Sequence, residues 1–141
     1  MLFRSNNYLV NGTSLTKGDQ TLTAPVTSAI QLNQLYLGGT WDFENQYATN
    51  LVAGATITYK YNAGKVYMVA AGAPVGTVID VMQDGQPIDA ANAGSDVRNG
   101  RMIISANRLY NIVNNTDGGG EHVLQLKIET PGSQIYTFTF G

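Results

Sequence analysis

The stretch TITYKYNAGKVYMVAA, Thr56 to Ala71, decides the fold class. Ile57, Tyr59 and Tyr61 alternate with Thr56, Thr58 and Lys60, a period of two in which successive side chains face opposite ways. Asn62-Ala63-Gly64 then breaks the pattern as a turn would, and Lys65 to Ala71 resumes it with a Val-rich, more deeply covered strand. Working outward, Thr77 to Gln83 is a third such segment. Leu124, Leu126 and Ile128 alternate with Gln125, Lys127 and Glu129, and Tyr136, Phe138 and Phe140 with Thr137 and Thr139. The joints carry turn chemistry: Asp84-Gly85, Asn99-Gly100 and Pro131-Gly132 supply residues that tolerate positive φ or preset a turn. Many short strands with regular Gly, Pro and Asn punctuation predict an all-β antiparallel β-sandwich of the jelly-roll type.

Composition bounds the function. The chain has 141 residues, 8 Lys+Arg against 10 Asp+Glu, one His and no Cys. At this length a fold buries roughly 68% of the unfolded chain's surface, enough for one core without staples. The absence of Cys excludes disulfides, Cys-ligated zinc and any CxxC redox centre within these residues. A formal net charge of −2 argues against nucleic acid as a partner. Charged residues amount to 13%, about half the usual share, and 16 Gly, 14 Thr and 13 Asn replace them with uncharged polarity. No apolar run approaches the ~18 residues of a membrane helix, so membrane insertion by this segment is not expected. Residues 1–27 form a poorly defined N-terminal segment with sparse apolar residues, and the sandwich is placed at 28–141. Met1 to Ser5 fits neither a strand nor a targeting peptide and leaves two readings open, a native start or the artificial start of a truncated frame.

Catalytic chemistry has little to stand on. His122 is the only imidazole base, at the start of a strand that carries Leu124 and Leu126 on the same face, so it is expected at the sandwich rim. Asp42 and Glu44, two apart, are a conceivable carboxylate pair for sugar hydrolysis. Asp84, Asp89, Asp96 and Asp117 lie in Gly-rich loops that would suit calcium, yet their spacing is that of turn caps, and no metal or cofactor is expected. Aromatic side chains with a polar handle are the better lead. Trp41, Tyr110 and Tyr136 read as core. Tyr47, Tyr59, Tyr61 and Tyr67 are candidate sugar-stacking rings, because flat faces and uncharged amides suit hydroxyl-rich ligands.

Several stretches, in order, also resemble one family: LNQLYLGGTWDFENQYA, ITYKYNAGKVYMV, VIDVMQDGQPI, AGSDVRNG, NRLYNIV and the closing PGSQIYTFTFG. This order is similar to the C-terminal domain of DipZ-like thioredoxin-family proteins, over approximately Leu32 to Gly141. The matching residues Gly39, Trp41, Asp84, Gly85, Asp96, Arg108, Tyr110, Tyr136, Phe138 and Phe140 are read as structural. The resemblance implies a fold like that of carbohydrate-binding modules, following a thioredoxin-like domain that is often joined to a membrane portion of the cytochrome c biogenesis type. It implies an extracytoplasmic location, and places the CxxC chemistry on the thioredoxin-like part, which no residue here can inherit. The expectation is a non-catalytic module that binds glycan or a protein partner and positions a redox domain. The alternatives are a structural packing domain and, further off, a small glycan hydrolase.

Overall fold

The computed structural model describes residues 18–23 and 30–141. Twelve strands follow in order: β1 (Gly18–Leu22), β2 (Leu35–Phe43), β3 (Ala48–Asn50), β4 (Ala55–Asn62), β5 (Lys65–Ala71), β6 (Thr77–Gln83), β7 (Gln86–Pro87), β8 (Val97–Arg98), β9 (Arg101–Ile104), β10 (Arg108–Asn114), β11 (Glu121–Ile128) and β12 (Gln134–Phe140). Among the described residues there is no helix, and hence none long and apolar enough to cross a membrane. Every strand pairing is antiparallel. The expected all-β sandwich is what forms.

Two sheets face each other and share β2. Its first half, Leu35–Gly38, pairs with β4 in sheet A, which continues β2-β4-β11-β6-β9-β8 with β7 beside β6. Its second half, from Gly39, pairs with β1 and β3 in sheet B, which runs β1-β2-β3-β12-β5-β10. The strand changes sheet at Gly39, where φ is +94°. A Cβ there would stand 3.0 Å from Val52 Cγ2 and 3.2 Å from Ala55 Cα, so glycine answers both the backbone sign and the close approach. Just past the crossing Trp41 is fully buried, and its indole N–H donates to Gly38 O at 2.9 Å, which satisfies the one polar atom of the ring.

Alternation supplies the core. Leu37, Ile57, Tyr59, Val81, Leu126 and Ile128 face inward from sheet A, and Trp41, Phe43, Val66, Met68, Tyr110 and Ile135 from sheet B. Each such side chain stabilises the fold by roughly 1.5–3 kcal/mol through burial. The tight turns behave as their sequences require. Asp84-Gly85 (φ +53° and +83°) closes β6 onto β7, and Asn99-Gly100 (+53° and +71°) closes β8 onto β9.

β1 is an edge strand on β2, so part of the N-terminal segment belongs to sheet B. The boundary at 27/28 and Met1–Ser5 lie outside the described residues.

Candidate ligand-binding face

The four candidate tyrosines divide between the inside and the outside of the sandwich. Tyr59 and Tyr61 are 2% and 1% exposed and cannot stack on a ligand. They share the inward side of β4 with Ile57, and their rings meet β12 from the opposite sheet: Tyr59 lies 4.9 Å from Phe140 and 6.4 Å from Phe138, and Tyr61 lies 6.1 Å from Phe140. The Tyr61 hydroxyl accepts from Gln83 Nε2 at 2.9 Å, and the same amide reaches Asn115 Oδ1 at 2.8 Å. Burial pushes the Tyr61 phenol above its usual range, consistent with a neutral core hydroxyl. The alternation with Ile57 already carried this signal.

Tyr47 and Tyr67 stay half-buried on the outer face of sheet B, and Tyr136 joins them. Tyr136 does not share the inward side with Phe138, contrary to the reading of β12 as an uninterrupted alternation. A register shift between Ile135 and Thr137 inserts one extra residue in β12. Ile135 and Phe138, three apart, then both face the core, and Tyr136 turns out. There its ring meets Tyr47 at 5.3 Å and 51°. Its hydroxyl donates to Gln134 Oε1 at 3.2 Å and accepts a long bond from Asn107 Nδ2 at 3.5 Å. Tyr67 lies opposite Thr139 on the neighbouring strand. Three residues of strand therefore separate it from the Tyr136 level, about 10 Å. β3, β12 and β5 contain one charged residue, Lys65 at the start of β5, and on the neighbouring β2 Asp42 stands opposite Thr49. Thr49, Gln134 and Thr137 surround the ring pair with uncharged donors and acceptors.

The residues weighed for catalysis do not assemble a reacting centre. Asp42 lies on β2 opposite Thr49, and Glu44 follows just past the end of that strand. Partial desolvation, and then the adjacent Glu44 carboxylate, hold Asp42 above the usual carboxylate range. His122 sits at the rim with its ring 5.9 Å from Tyr61. Its Nδ1–H donates to Asp84 Oδ2 at 2.7 Å, while Asp84 Oδ1 accepts Val123 N–H at 2.9 Å. Nε2 has no hydrogen-bond partner; Asp117 Oδ2 is 3.8 Å away. An Asp–His pair without a hydroxyl on Nε2 lacks the nucleophile of an acyl-transfer triad. Asp117 also accepts Gly119 N–H at 3.1 Å, a turn role. Among the described residues no group of three or more His, Asp or Glu is placed to hold a metal ion.

Asp96 and Arg108, both read as structural, form a clasp between the sheets. Arg108 donates to both carboxylate oxygens, Nη2 to Oδ1 at 2.8 Å and Nη1 to Oδ2 at 3.3 Å, and its guanidinium lies 4.0 Å over the Tyr110 ring. Asp96 Oδ2 also accepts Asn111 N–H at 2.7 Å. The bonds from Arg108, and secondarily from Asn111, hold the Asp96 carboxyl below its usual range. Gly94 lets this loop lie flat on β10, for a Cβ there would fall 2.3 Å from Asn111 O.

Residues 2–141 match the model of the thioredoxin-like C-terminal domain family. The chain belongs to that family. The Gly94–Asp96 loop on β10, the Asp84-Gly85 turn and the buried Trp41 give physical content to stretches that carried the family likeness. Among solved structures, this thioredoxin-like C-terminal domain is similar to a family two carbohydrate esterase from Clostridium thermocellum in complex with cellohexaose, with TM-score 0.57 and 16% identity. An active-site mutant of a family two carbohydrate esterase from the same organism gives TM-score 0.54 and 15% identity. Both likenesses cover 72% of this chain and 29% of the esterase chain, and they show the β-sandwich fold alone. No curated protein matches the chain.

Proposed function

We propose that this thioredoxin-like C-terminal domain is a non-catalytic, extracytoplasmic module that binds a neutral glycan and holds a thioredoxin-like redox domain of the same DipZ-like parent close to it. The observation that carries the reading is the half-buried Tyr47–Tyr136 ring pair beside the opposed Thr49 and Gln134. Ring faces stack on the C–H faces of sugars, and the amide and hydroxyls of Gln134, Thr49 and Thr137 suit sugar hydroxyls without the desolvation cost of a charge. The esterase neighbour, solved with cellohexaose, makes a cello-oligosaccharide a rational first probe. The absence of Cys keeps thiol chemistry off this segment and on the partner domain.

Calorimetric titration with cellohexaose and with peptidoglycan fragments tests it. Saturable binding that is lost in Tyr47→Ala and Tyr136→Ala, and kept in Tyr59→Phe, is the expected result. No heat with any of these glycans, or binding indifferent to Tyr47 and Tyr136, would overturn the reading.

A further inference from the structure

The opposite face of the sandwich carries a second concavity of different chemistry. On the outer side of sheet A, Thr56, Gln125, Lys127, Asp80, Met82 and Arg101 line a cleft of about 470 Å³, within the size range of small-ligand sites. One wall is the Asn99-Gly100 turn, which is fixed in place. Gly100 O accepts Val81 N–H at 2.8 Å, and a Cβ on Gly100 would come within 3.2 Å of Pro87. The cleft is therefore preformed.

Its charge balance is the informative feature. Lys127, Asp80 and Arg101 stand level with one another on β11, β6 and β9, and Arg98 stands directly opposite Arg101 across the β8–β9 hairpin. Opposed residues of an antiparallel pair share one face, and like charges in that arrangement destabilise the hairpin. Asp80 is the one carboxylate in this row, and it engages Arg101 only through Nε, at 3.1 Å. Nη1 and Nη2 of Arg101 make no hydrogen bond to the described residues. The nearby Asp96 cannot serve, because Arg108 and Asn111 occupy it. Ion pairs among the described residues engage neither Arg98 nor Lys127. Two cations, Lys127 and Arg101, thus flank one carboxylate inside the cleft, with Arg98 one strand beyond Arg101, in a chain whose net charge is −2.

We propose that this cleft binds the carboxylate of an acidic sugar unit. The open guanidinium edge of Arg101, assisted by Lys127, takes the carboxylate. Gln125, Thr56 and Asn99 take ring hydroxyls, and Met82 with Pro87 gives the ring an apolar bed. Planar, two-point recognition of a carboxylate is what a free guanidinium fork does best. The site is independent of the Tyr47–Tyr136 face and would give the domain a second, charge-selective contact with a glycan.

The test is titration of the full chain, labelled with nitrogen-15, with trigalacturonate, its methyl ester and sodium sulfate at matched ionic strength. Trigalacturonate is expected to shift the backbone amides of Asn99, Gly100, Arg101, Gln125 and Lys127, and the methyl ester to leave them in place. Arg101→Gln and Lys127→Gln are each expected to weaken binding by about tenfold, while Tyr136→Ala leaves it unchanged. Circular dichroism of the variants confirms that they fold. Absence of shifts at these amides, equal shifts with the methyl ester, or equal response to sulfate would overturn the proposal. Loss of binding in Tyr136→Ala with retention in Arg101→Gln would do the same.

Discussion

On the outer side of sheet A, Lys60, Asp80, Arg101 and Lys127 stand on adjacent strands, and Lys60 reaches Glu121 at 3.8 Å. On the outer side of sheet B, Tyr47 just before β3, Tyr67 on β5 and Tyr136 on β12 stand among threonines and amides, with Lys65 at one end and Asp42 opposite Thr49. Inward, the two sheets are alike: both bury Ile, Val and aromatic rings. The core constrains one side of each strand and leaves the other free to differ. What differs is therefore the place to look for function. An aromatic face with few charges and a cleft that holds two cations suit two different ligand chemistries.

Two devices tie the faces together, and breaking them is expected to cost most. Gly39→Val puts a branched side chain at φ +94° against Val52 and Ala55, where β2 changes sheet. A loss of about 2–4 kcal/mol is expected from backbone strain plus overpacking, read as a fall in urea midpoint. An unchanged midpoint would show that the crossing does not depend on glycine.

The clasp comes next. Asp96→Asn removes the charge that Arg108 grips and is expected to cost about 1–3 kcal/mol at pH 7. The folded-state pKa of Asp96 lies below the unfolded value, for which 3.8 is the reference. The unfolded chain therefore binds the proton more readily, and the clasp's contribution is present above about pH 4 and lost as pH falls through the folded pKa. Urea unfolding of both proteins at pH 7 and pH 3 should show the gap between them narrowing on acidification. A constant gap would mean that Asp96 is not ionised in the fold.

The smallest effect is expected on the charged face itself. Lys60→Gln breaks a 3.8 Å pair with a half-exposed Glu121. Exposed ion pairs of this kind contribute under ~1 kcal/mol. A larger loss would show that the charges of sheet A stabilise the fold, and would weaken the case that they are kept for a ligand.

Local chemistry made much of this architecture legible. Alternation from Ile57 to Tyr61 and from Leu124 to Ile128 depends only on the pleat, and the positive φ at Asp84, Asn99 and their following glycines depends only on turn geometry. The burial of Tyr110 was readable from the face it shares with Ile112, and that of Trp41 from the small residues Gly38-Gly39-Thr40 before it. The tyrosines were harder, because alternation assigns residues to two sides without saying where the alternation slips. One extra residue in β12 reversed the side of Tyr136 relative to Phe138, and that slip is visible only in the pairing with β5.

The strand segments along the chain, the turns and an inward face were thus determined by the sequence through interactions a few residues long. Tertiary structure alone decided which groups meet: Asp84 with His122, Asp96 with Arg108 and Asn111, Tyr47 with Tyr136, and Lys127 and Arg101 on either side of Asp80. The physical reason is that these partners sit on strands whose neighbours are set by long-range pairing. No local periodicity encodes which outer faces will stand side by side.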